Sequence, residues 1–179
     1  QAQTSCINAP HGGSVQHNNA EVSNEGLKLV NFYSRNLALQ KREEANHPEV
    51  LAGKALFYQS GCVDCHQPSY TTSDKANIEQ AGQRIWPYTD LLLHNMGRDL
   101  ADHRPEFLAT GFEWRTPPLW GIGLTQTVNK HTFFLHDGRA RNLLEAIIWH
   151  GGEAQKAQQK VVKMTPEERH SLIKFLESL

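Results

Sequence analysis

The most chemically loaded stretch of the chain is Cys62-Val63-Asp64-Cys65-His66. Two thiols three positions apart can reach the two vinyl groups on one edge of a porphyrin. The adjacent imidazole then lies under the ring and offers a nitrogen to iron. This Cys-x-x-Cys-His order is the pattern of c-type haem attachment, so one covalent haem c is expected, with Cys62 and Cys65 as thioether anchors and His66 as an iron ligand. Two other chemistries use close cysteine pairs. A thioredoxin-like dithiol needs a strand and helix context that the flanking residues lack. A structural zinc site needs two more ligands at finger-like spacing. The third cysteine, Cys6, stands alone and far upstream, and is expected to be a free thiol or to pair with a cysteine elsewhere.

An electron-transfer haem keeps its iron six-coordinate, with methionine or histidine as the usual second ligand. The two methionines and ten histidines supply the candidates. Met164 precedes the last predicted helix and could equally be an apolar staple. Met96 ends Leu93-His94-Asn95-Met96 and could pack or bind. His150 shares a helical face with Leu143, Ala146 and Ile147, so it is aimed at the core. His136, before Asp137-Gly138, reads as a loop-holding residue. His11, His17, His47, His94, His103, His131 and His170 lie in polar stretches where exposure is expected. Spacing places His150 slightly ahead of Met96 and Met164 and leaves the choice open.

The elements that must position these groups are mostly helical. Residues 1–24, rich in Asn, Gln, Ser and Gly, read as an arm, and residues 25–179 as one domain. Ser23 or Asn24 caps a helix carrying Leu27, Val30 and Leu37. Pro48 opens a second helix that ends at Ser60-Gly61, directly before Cys62; its Gly53, Leu56 and Phe57 are expected to wall the porphyrin. Residues 67–83 read as loop, and Leu91-Leu92-Leu93 as a short buried run. The stretch from Asp102 to Gly123 reads as irregular. Asn142 caps a helix to His150, and Thr165-Pro166-Glu167-Glu168 is a capping box that starts the last helix. The fold class expected is mainly α, a cytochrome c-like helical domain with long loops.

Composition narrows the rest. The 179 residues can bury a real core. A formal net charge of −1 gives no footprint for nucleic acid. No apolar stretch is long enough to span a bilayer, and Gln1 to Cys6 show neither the positive nor the apolar region of a secretory signal, so any such signal is expected to have been removed already.

Four segments carry a resemblance: Pro87 to Gly97 (PYTDLLLHNMG), Glu113 to Gly121 (EWRTPPLWG), Phe134 to Arg141 (FLHDGRAR) and Glu145 to Ala154 (EAIIWHGGEA). In that order they resemble the di-haem oxidoreductase family, also called thiol oxidoreductases, which is related to bacterial di-haem cytochrome c peroxidases. The match runs from about Glu25 to the C-terminus and follows the family's C-terminal haem domain. In the related peroxidases a similar histidine-aspartate-glycine turn leads into a helix that delivers the distal methionine of the electron-transfer haem, and carried onto this chain that position falls on His150. The resemblance therefore implies His66 and His150 as the ligands, and a low potential for a cytochrome, because two imidazoles favour ferric iron. It also implies Arg115 and Arg139 as candidate partners for haem propionates. The family carries two haems, whereas one Cys-x-x-Cys-His stands here. Single-electron transfer to another haem domain or a small redox protein is thus the expected function. Peroxidase-like activity is expected only together with a second haem domain, and a zinc or dithiol module is the non-haem alternative. Covalent attachment implies maturation outside the cytoplasm, so a periplasmic or exported protein is expected.

Overall fold

The computed structural model describes residues 3–75 and 77–179 apart from the side chain of Cys6, so the expectations for that thiol lie outside the described residues. Helices, short 3-10 turns included, take up 42% of the chain, and strands with isolated bridges 9%. The protein is mainly α with small ribbons added. Contacts group it into two compact units, Gln1–Leu39 and Gln40–Leu179.

The first unit holds α1 (Thr4–Ile7), a bridge between Ser14 and Ala20, and α2 (Asn24–Arg35). Ser23 caps α2 as its sequence predicts, its Oγ accepting from the Gly26 N–H at 3.0 Å. No residue of α2 is buried.

The second unit runs α3 (Pro48–Ser60), β1 (Tyr70–Thr71), β2 (Arg84–Ile85), β3 (Leu93–Asn95), β4 (Glu113–Arg115), α4 (Thr125–Asn129), α5 (Leu143–Ile148), α6 (Gln155–Val162) and α7 (Pro166–Glu177). Its core is the crossing of α3 and α7. Val50 and Phe57 meet Leu172, Phe175 and Leu176, with Tyr88, Leu119, Leu143 and Val161 packed round them. The Phe57 and Phe175 rings are 5.2 Å apart, and Tyr88 lies 5.9 and 5.8 Å from them, edge-on. A β-carbon on Gly53 would fall 1.9 Å from the Ser171 carbonyl oxygen, so glycine is what lets the two helix backbones approach. Gly53 thus serves the helix crossing, which corrects its expected place in a porphyrin wall. Leu56 lines a shallow cleft with Ser60, Lys160 and Met164, while Phe57 is in ring contact with His66 at 6.3 Å. The capping box of α7 forms as its residues predict.

Two antiparallel ribbons each draw one strand, β1 and β4, from a stretch read as loop or irregular. Tyr70 pairs with Ile85 in one, and His94 with Trp114 in the other. Leu91, Leu92 and Leu93 are 54%, 60% and 56% exposed, which corrects the expected buried run. Leu91 and Leu92 precede β3; within it His94 is the inward residue, with a side chain only 15% exposed, so Leu93 faces out. Among the described residues no helix is long and apolar enough to cross a membrane.

Candidate functional site

α3 stops at Gly61, and Cys62–Asp64 form one tight turn directly after it. The His66 N–H donates to the Cys62 carbonyl at 2.9 Å, so two thiols and an imidazole project from a single turn of backbone. Both cysteines are free and half-buried. Burial pushes each thiol up to about 11, and at Cys65 the carboxylates of Asp90, Glu153 and Asp64 add to it. A reactive dithiol needs the opposite, a depressed pKa in electropositive surroundings. Disulfide exchange is therefore a poor use of this turn.

The stretch from Pro87 to Asp90 lies along it. Thr89 N–H donates to Gln67 O at 3.0 Å and Asp90 N–H to Cys65 O at 2.8 Å. Directly before them Tyr88 is buried and held at φ 53°, a left-handed conformation costly for a bulky residue. Its carbonyl receives a hydrogen bond from His66 Nδ1 at 3.0 Å. A carbonyl can only accept, so the proton is on Nδ1 and Nε2 keeps its lone pair. Burial lowers the His66 pKa to about 4, which leaves the ring neutral at neutral pH.

His150 reaches the same state from another element. Asn142 caps α5 by accepting from the Glu145 N–H at 2.8 Å, and α5 buries Leu143 and Ala146. His150 lies just past the end of α5, its N–H on Ile147 O at 3.1 Å. Its Nδ1 donates to Ala146 O at 2.7 Å, fixing the same tautomer. Burial lowers its pKa too. The two rings lie 6.5 Å apart, tilted by 43°. An imidazole nitrogen binds a first-row metal at about 2 Å, so two rings offering Nε2 to one ion from opposite sides have centres roughly 6 Å apart. Backbone carbonyls on both Nδ1 atoms are the usual outer partners of histidine ligands. The pair fits a six-coordinate haem iron beside Cys62 and Cys65.

The other candidates fall elsewhere. Met164 packs against the core and lines the cleft with Leu56 and Ser60. Met96 is half-buried, and its carbonyl lies so close to Gly151 that a β-carbon there would come within 2.9 Å of it. The ring across from His66 is that of His150. Arg139 is already engaged: Nε meets Asp137 Oδ2 at 2.7 Å, another nitrogen donates to the Asp99 carbonyl, and the guanidinium lies 5.0 Å over Trp149. Arg115 is exposed at the end of β4, its fork without a hydrogen-bond partner among the described residues. His136 stacks on Trp114 at 4.4 Å, and burial lowers its pKa.

His94 corrects the expectation of exposure. Its Nε2 lies 2.7 Å from Asp90 Oδ2 and its Nδ1 2.9 Å from Glu153 Oε2. The ligating atoms of Cys65, Asp90 and His94 lie within 4.8 Å of one another. Yet both ring nitrogens face carboxylates, which leaves no lone pair for a metal. The signal in the sequence was faint: Asp90 and His94 are four apart, but Glu153 comes from a different segment.

A family model described as "Di-haem oxidoreductase, putative peroxidase" matches residues 3–179. The chain belongs to that family. No curated protein and no solved structure matches it. Membership in the di-haem oxidoreductases makes haem the cofactor and oxidation–reduction the class of chemistry. In this family member the one Cys-x-x-Cys-His turn and the paired imidazoles converge on the same place.

Proposed function

We propose that this chain carries one covalent haem c on Cys62 and Cys65, with His66 and His150 as axial ligands, and that it passes single electrons. The observation that carries this is the His66–His150 pair, two neutral imidazoles 6.5 Å apart with each Nδ1 tied to a carbonyl. When bound, the haem supplies a reversible one-electron couple. The chain's residues hold and tune it. Tyr88 and Ala146 orient the two rings through their carbonyls, and two imidazoles favour the ferric state over an imidazole and a thioether. Arg115, exposed and unengaged, is the arginine best able to meet a propionate; Arg139 would have to leave Asp137 to do so. The electron partner is another haem domain or a small redox protein. Attachment of this kind places the protein outside the cytoplasm, in a periplasm or beyond it.

Two measurements on protein matured by a competent host test this. The unfolded polypeptide should keep the added mass of one haem, and the native protein should be low-spin in both oxidation states. His150→Ala should convert the iron to high spin, and Met96→Ala should not. An unfolded chain at bare polypeptide mass, or a high-spin ferric wild type at neutral pH, overturns the reading.

The family's peroxidase description motivates a second reading, in which the chain is one haem domain of a peroxidase-like enzyme and works with a second haem domain. Peroxide turnover that appears only when a second haem domain is supplied favours it, and inertness in both cases removes it.

A further inference from the structure

His94 joins two loops that the chain keeps far apart. Its Nε2 meets Asp90 Oδ2 at 2.7 Å and its Nδ1 meets Glu153 Oε2 at 2.9 Å. With a carboxylate on each side both nitrogens donate, so the ring is an imidazolium between two anions. Each carboxylate has a further tie. Asp90 Oδ1 accepts from Leu92 N–H at 2.9 Å, and the Asp90 N–H donates to Cys65 O at 2.8 Å. Glu153 Oε1 accepts from Asn95 N–H at 2.8 Å. Asp90 therefore belongs to the stretch whose Tyr88 carbonyl grips His66, and Glu153 is the third residue after His150. Between His150 and Glu153 the backbone is pressed onto β3. Gly152 has φ 52°, and a β-carbon on it would fall 2.1 Å from Asn95 O. Among the described residues His150 hydrogen-bonds only to Ile147 and Ala146 of its own helix, so its position relative to His66 is set by α5, packed on the core through Leu143 and Ile147, and by the turn of Gly151, Gly152 and Glu153 that follows it.

We infer that Asp90, His94 and Glu153 form a bracket that fixes the distance between the two ligand loops, with His94 as a positioning residue for His150. The inference rests on the bis-histidine reading above. Outer partners of metal-binding histidines control how firmly the ligand is held, and here that control is exerted through the turn after the ligand. The bracket thereby sets how readily His150 yields its place to an external ligand.

Mixing the ferrous, haem-loaded protein with carbon monoxide tests this, because binding to a six-coordinate iron is limited by release of His150. His94→Ala should bind carbon monoxide about 10–100-fold faster than wild type. His94→Gln, whose amide can donate to one carboxylate, should fall between. Glu153→Gln keeps an oxygen for the Asn95 N–H but loses its charge, and should shift the rate the same way by less. Lys174→Ala, which breaks an exposed pair with Glu177 on α7, should leave the rate unchanged. Wild-type rates in both His94→Ala and Glu153→Gln overturn the bracket. If His94→Ala fails to take up haem, the Glu153→Gln rate decides alone. His150→Ala separates the two ideas: if that variant keeps a low-spin spectrum and the wild-type rate, the ligand assignment itself has failed.

Discussion

His66 and His150 present the same tautomer to each other, one from beside the aromatic core and the other from the end of a six-residue helix. On the His66 side the main support is buried and aromatic: Phe57, Phe175 and Tyr88 interlock where α3 crosses α7, and the Tyr88 carbonyl is delivered from within that packing. On the His150 side the ring is carried by α5, packed on the core through Leu143 and Ile147, but the turn after it has polar supports that reach the surface: glycines against β3 and the carboxylates flanking His94, of which Glu153 is half exposed. One ligand is held by what holds the fold together. The other is held in part by a device that can be weakened without unfolding the protein. Substitutions on the first side should show up in stability, and on the second side in ligation.

The largest effect is expected from Phe57→Ala. Its ring meets Tyr88, Phe175 and His66, and truncation of such a buried aromatic costs about 3–5 kcal/mol. Urea unfolding measures it; a loss below about 1 kcal/mol would break the claim that the His66 side is built on the core. Gly152→Ala comes next. The new β-carbon would meet Asn95 O on a residue already at φ 52°, so the turn must shift, at about 1–3 kcal/mol. Its diagnostic readout is faster carbon monoxide binding in the folded protein, which Phe57→Ala should not match at equal stability loss. Smaller again is Met164→Leu, a swap of similar volume at a residue that packs on the core. It should cost less than about 1.5 kcal/mol and leave the low-spin spectrum untouched. A high-spin product would move the second ligand from His150 to Met164.

How much could be read in the sequence depended on how local each signal was. Cys62, Cys65 and His66 sit in five consecutive residues, and the caps at Ser23, Asn142 and Thr165 act over three or four, so all could be read in place. His150 could be placed on an apolar face by its spacing from Ala146, but the sequence left it only slightly ahead of Met96 and could not show its ring 6.5 Å from that of His66. The bracket could not be read, because Glu153 lies 59 residues beyond His94 and no local pattern joins them. The leucines at 91 to 93 misled for a related reason. Hydrophobicity predicted burial, but Leu91 and Leu92 precede the strand, and Leu93 faces out because the inward position is taken by His94 with its charged partners.

The finest test of the difference between the two sides is pH. Burial alone would lower the His94 pKa, but hydrogen bonds to Glu153 and Asp90 outweigh it, so it rises above the ordinary value. The Asp90 pKa, raised by burial but lowered more by the Leu92 N–H and His94, falls below its own, as does that of Glu153 through His94 and the Asn95 N–H. A raised histidine contributes stability that is complete below its unfolded value of about 6.5 and is lost as pH climbs through the folded one. The carboxylates contribute theirs above about 4 and lose it as pH falls through their lowered values. Subtracting the urea midpoint of His94→Gln from that of wild type should therefore give a difference largest near about pH 5 and fading as pH climbs through the raised His94 value. The sulfur of Cys65, within 4.8 Å of the ring, has no proton to lose once it is a thioether, and as a free thiol burial pushes it up to about 11, so it adds no slope across most of that range. Burial sends His66 to about 4 and lowers His150, so neither ligand ring adds a slope on the alkaline side. A difference that grows with pH there would mean that His94 is neutral in the native protein, and the bracket would lose the charge that binds its two halves.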